Sequence, residues 1–91
     1  MPVNTVWLKV DGERVVQGLQ EAMETLDTAE GEVVLDFSSV KRVDPSALQA
    51  METLAGRADG KSVKVVLGGV NVSVYKTLKL MKLAGRFSFL S

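Results

Sequence analysis

The chain has 91 residues, eleven of them basic and eleven acidic, and contains neither histidine nor cysteine. That length holds one domain spanning 1–91, and the charge balance argues against a nucleic-acid binder, which needs a basic excess to neutralise phosphates. Without thiol or imidazole there is no disulfide framework, no Cys- or His-ligated metal and no Ser-His-Asp relay, so neither catalysis nor a cofactor is expected. No apolar run approaches the roughly 18 residues of a membrane span. The N-terminus also lacks the basic-then-apolar pattern of a signal peptide. The expected protein is therefore cytoplasmic and not inserted in a membrane.

Elements follow in chain order. Val6, Leu8 and Val10 alternate with polar residues and Trp7, which predicts a strand over Thr5–Val10 covered mainly on one side, ended by Asp11-Gly12. Val15, Val16, Leu19, Met23 and Leu26 fall at helical spacing between Arg14 and about Thr28, and Gly31 breaks the chain. Val33-Val34-Leu35-Asp36-Phe37 is nearly continuous in apolar residues, as a central strand buried on both faces would be. Asp44-Pro45-Ser46-Ala47 is a strong helix start: Asp accepts from free backbone N–H groups, and Pro loses no bond at the first helical position. Leu48, Met51, Leu54 and Ala55 carry that helix to Asp59-Gly60. A third strand over Val63–Leu67 closes at Gly68-Gly69, which lacks the glycine spacing and lysine of a P-loop and reads as a turn.

The last helix is expected from about Asn71 to Leu83, with Val74, Leu78 and Met81 inward, Tyr75 beside them and Gly85 as a left-handed cap. Lys76, Lys79 and Lys82 then line a solvated face. Arg86–Leu90 is a short edge strand or a packed extension. The resulting class is α/β, in the order β-α-β-α-β-α, with a small central sheet and helices packed against it through right-handed crossovers. Trp7 and Tyr75 read as half-buried core aromatics, or as the lining of a small-ligand site.

From Glu32 onward the chain resembles a STAS domain, the family shared by anti-sigma factor antagonists and the cytoplasmic tails of sulfate transporters. The resemblance rests on Val33-Val34-Leu35-Asp36-Phe37-Ser38-Ser39-Val40, then Arg42-Val43-Asp44-Pro45-Ser46-Ala47-Leu48, and on Val74–Phe87 as the closing helix and its ending. It covers about two thirds of the chain. The N-terminal third matches less well: many members begin with an additional strand, and the acidic residue they carry after Gly-Glu-Leu is missing after Gly12-Glu13, where Arg14-Val15 follows.

The resemblance implies a STAS-like domain that binds a protein partner, a kinase-like anti-sigma factor, and is not an enzyme. Ser46 aligns with the serine that the partner kinase phosphorylates, and Asp44, Pro45 and Ala47 form the partner-binding surface around it. Pro45 stands where the family has a first serine, and Ala47 where it has glycine. Capping alone also accounts for Asp44 and Ser46. Two alternatives stay open: a STAS accessory subunit of an ABC-type phospholipid transport ATPase, and a scaffold or small-ligand sensor without phosphorylation. The neutral surface is compatible with a monomer or a weak dimer.

Overall fold

The computed structural model describes residues 4–28 and 31–90. Strands β1 (Asn4–Lys9), β2 (Gly31–Asp36), β3 (Lys64–Gly68) and β4 (Ser88–Phe89) alternate with helices α1 (Val15–Leu26), α2 (Pro45–Lys61) and α3 (Val72–Leu80), and a 3-10 turn at Ala84–Arg86 leads into β4. All neighbouring strands are parallel, in the order β1-β2-β3-β4. The tail thus forms the short edge strand that was one of its two expected forms.

Parallel neighbours require crossovers, and crossovers of one hand that step steadily in one direction place every helix on the same face of the sheet. Burial follows that rule. The rows Val6-Val33-Val65 and Leu8-Leu35-Leu67-Phe89 join one apolar cluster with Leu19 and Leu26 of α1, Met51 and Leu54 of α2, and Val74 and Leu78 of α3. Each fully buried leucine or valine there contributes roughly 1.5–3 kcal/mol by leaving water. The row Trp7-Val34-Val66-Ser88 points to the other face. Val34 and Val66 are buried yet stand outside the cluster that the helices share. On the side away from the helices the two central strands are thus still covered at Val34 and Val66, and exposure is concentrated at the β1 edge.

The exposure of this edge corrects the reading of Trp7, which is 66% exposed and no core aromatic. Periodicity set its phase on the strand, but no local pattern shows which face of a sheet lacks helices. Tyr75 is also exposed, with its ring edge-on to Phe89 at 5.2 Å between centroids.

The end of α3 differs too. The helix stops at Leu80, and Lys82, with φ of 61°, takes the left-handed position expected of Gly85. The Leu83 amide donates to the Leu78 carbonyl at 2.8 Å and the Lys82 amide to that of Lys79 at 3.1 Å, a Schellman-type ending. This turn brings Leu83 into the core and leaves Met81 exposed. Helix α2 ends in the same way, running through Gly60 to Lys61, with Ser62 at φ 57° and the Val63 amide donating to Ala58 at 3.0 Å.

Candidate functional site

In an all-parallel sheet every strand ends at the same edge, and every helix that follows begins there. The β1–α1, β2–α2 and β3–α3 connections therefore gather at one end of the domain, where open α/β sheets usually bind their ligands. The β2–α2 connection is central, and neighbours hold it on both sides.

Asp36 closes the first turn of that connection: its Oδ1 accepts the Ser38 amide at 2.9 Å. Hydrogen bonds from Ser38, its side chain first and its backbone second, pull the Asp36 carboxyl below the ordinary value of 3.8 against a smaller opposing effect of burial. The Phe37 amide donates to the Gly68 carbonyl at 2.7 Å, and the Val40 amide to that of Phe37 at 2.9 Å. Asn71 ties the far side. Its Nδ2 donates to the carbonyls of Val40 (3.3 Å) and Lys41 (3.1 Å), while its Oδ1 caps α3 through the Val74 amide at 2.7 Å. Gly12 lies so close to the Ser39 carbonyl that a Cβ there would clash with backbone, and Gly69, at φ 68°, sits against Ser38.

The connection delivers the chain to Asp44 in extended conformation, and Pro45 opens α2. Asp44 Oδ1 accepts the Ala47 amide at 2.8 Å. The cap bond belongs to Asp44, so the Ser46 hydroxyl is not needed for it. Pro45 and Ser46 are exposed beside it. Ala47 differs, because the whole residue is only 1% exposed and packs in the core, so that it offers almost no surface of its own. A groove of about 700 Å³ runs from this helix start to that of α1, with Arg14 and Arg42 among its walls and Val43, Asp44 and Ala47 on the α2 side.

Residues 4–90 match the family model described as "Mlab, STAS domain". The chain belongs to the STAS domain family. The fold agrees with solved STAS-like structures. A crystal structure of TM1081 from Thermotoga maritima, provisionally named an anti-sigma factor antagonist, superposes with a TM-score of 0.72 at 18% identity, over 100% of this chain and 75% of that one. An NMR structure of TM1081 gives 0.79 at 16% identity, over 100% and 78%. A sulfate transporter family protein from Wolinella succinogenes gives 0.76 at 15% identity, over 98% and 80%. At these identities the likeness is one of fold. No curated protein sequence matches the chain.

Within this STAS domain, the sequence-predicted residues Asp44, Pro45 and Ser46 share one exposed helix start, with Ala47 beneath. Sequence reasoning missed Asn71, Gly12 and the two groove arginines. An asparagine just before a helical stripe was a signal for the cap, but its reach to Val40 and Lys41 had none. Among the described residues no charged or polar side chain is buried, and no group of three or more acidic side chains could hold a metal ion. Among the same residues no helix is long and apolar enough to cross a membrane.

Proposed function

We propose that this STAS domain is a non-catalytic regulatory module whose protein partner, a kinase-like anti-sigma factor, docks on the start of α2 and is released when Ser46 is phosphorylated. The observation that carries this reading is the division of labour at that helix start. Asp44 makes the cap bond to Ala47, and Ser46 is left exposed one residue past Pro45. A phosphoryl group on Ser46 lies in the first helical turn, where free amides and the helix dipole favour an anion, so the fold tolerates it. The surface changes instead. About 1.5–2 negative charges arrive beside Asp44, which repel an acidic partner face and must be desolvated against an apolar one. Because Asn71 and the two close glycines hold the preceding loop, this switch works by charge on a fixed surface. The reading invokes no cofactor, places the domain in the cytoplasm, and assigns it to signalling in transcription.

The experiment is capture of partners from the native host on immobilised protein, comparing wild type, Ser46→Ala and Ser46→Asp by mass spectrometry. Capture of a kinase-like anti-sigma factor by wild type and Ser46→Ala, lost with Ser46→Asp, is the expected result. The family description speaks of a STAS domain without naming an antagonist, which keeps the accessory-subunit reading in play. Capture of a transport ATPase by all three proteins would replace the switch with that reading.

A further inference from the structure

Strand β1 is the outer strand of the sheet on one side, paired only with β2 among the described residues. The Val10 amide donates to the Asp36 carbonyl at 3.0 Å, so Val10 and the alternate residues Leu8 and Val6 turn their peptide groups toward β2. Thr5, Trp7 and Lys9 consequently turn theirs outward along an unpaired edge. Their side chains share the face of the sheet away from the helices, where Trp7, on the edge strand, is 66% exposed. An extended, regular edge of this kind is a template for another strand.

A lysine on such an edge ordinarily deters pairing. Here its charge has a counterpart. Glu32, on β2 directly beside Thr5, is turned toward the edge, because its Oε1 accepts the Thr5 hydroxyl at 3.2 Å. From these placements we infer that β1 pairs antiparallel with β1 of a second copy of this chain, centred on Trp7 opposite Trp7. In that register Thr5 faces Lys9 and Val6 faces Leu8 across the two-fold axis. The outward peptide groups of Thr5, Trp7 and Lys9 meet as hydrogen-bonded pairs, giving roughly six new backbone bonds. Each Lys9 ammonium arrives over Thr5 of the other copy, within reach of the Glu32 carboxylate held there. Sliding by two residues in either direction moves Lys9 away from Glu32, so the charges select one register. The faces also agree: Val6 and Leu8 meet on the helix side, and the two indoles meet on the opposite side, where aromatic cross-strand pairs are favourable. The closed two-fold contact uses both edges up and stops at a dimer.

The contact is small and belongs to the weak class, populated at roughly 0.1–1 mM protein. Sedimentation equilibrium over that range tests it, with fluorescence of the single tryptophan as a second readout, since its emission shifts to the blue as the indoles bury each other. The expected result is a monomer–dimer equilibrium. Lys9→Glu weakens it about tenfold, because both charge pairs become repulsive, and Lys9→Glu with Glu32→Lys restores it. Trp7→Pro gives a monomer with unchanged circular dichroism, since the amide it removes faces outward. Monomer at every concentration would overturn the inference. So would a dimer indifferent to Lys9→Glu, or one that the double exchange leaves weakened.

Discussion

The carboxylate of Asp44 holds the Ala47 amide at 2.8 Å, and the exposed Ser46 beside it is spared that task. Asp44→Ala should lower stability by about 1 kcal/mol, which for a domain of this size moves the melting temperature by roughly 4–8 °C. Ser46→Ala should stay within about 0.5 kcal/mol of wild type, the usual range for an exposed position. Thermal melts of the two variants check both, and equal losses would mean that Ser46 shares the cap. Asp36 makes a pH-dependent contribution. Its carboxyl is held below 3.8 by the bonds from Ser38, so the stability it adds is fully present above the unfolded value and lost as pH falls through the lower folded value. Urea titrations of wild type and Asp36→Asn should therefore differ at neutral pH and converge in acid.

At the scale of elements, two helix ends depend on residues with poor left-handed propensity. Lys82 sits at φ 61°, a conformation that costs a side-chain-bearing residue about 1 kcal/mol or more. Lys82→Gly removes that cost but loosens the unfolded chain, for a net gain of about 0.5–1 kcal/mol. Gly85 lies in the following 3-10 turn, where a Cβ meets nothing within 4 Å, so Gly85→Ala should change stability by less than about 0.5 kcal/mol. Chemical denaturation of the pair separates the observed cap from the expected one. Asn71 joins two elements with one side chain. Asn71→Asp keeps the acceptor for Val74 but loses the donors to Val40 and Lys41, whereas Asn71→Ala loses both. The alanine variant should cost about 1–2 kcal/mol. The aspartate should spare the helix yet speed amide exchange around Val40. Exchange at Val40 unchanged by the aspartate would show that the loop is held by other bonds.

At the scale of the molecule, all three helices rest on one face of one sheet and share one cluster. Leu35 is fully buried at its centre, between Leu8 and Leu67 in register. Leu35→Ala should cost about 2–5 kcal/mol, a large part of the 5–15 kcal/mol typical of a domain. With a single core, the loss should weaken α1 and α3 alike. Hydrogen exchange of amides in the two helices should rise together, and a selective rise in one would indicate a subdivided core. The outermost place of β1 in the strand order leaves its edge unpaired among the described residues, and Trp7 on it is exposed.

How far the amino-acid sequence reaches depends on the range of the interaction. The strand alternation of Val6, Leu8 and Val10, the helical stripes and the Asp44-Pro45 start are patterns within a few residues of each other, and each was legible because backbone geometry repeats on that scale. The STAS resemblance was legible for the same reason, as a run of such patterns in order. Gly85 misled because glycine is the commonest left-handed cap, and only the burial of Leu83 in the same core as Leu78 shows why Lys82 takes the position. Tertiary structure alone decided that Asn71 reaches back to Val40 and Lys41, that Gly12 lies against Ser39, and that Trp7 faces solvent. Those outcomes depend on strand order and on which face the helices cover. They are set by contacts between segments far apart in the chain, for which local periodicity carries no signal.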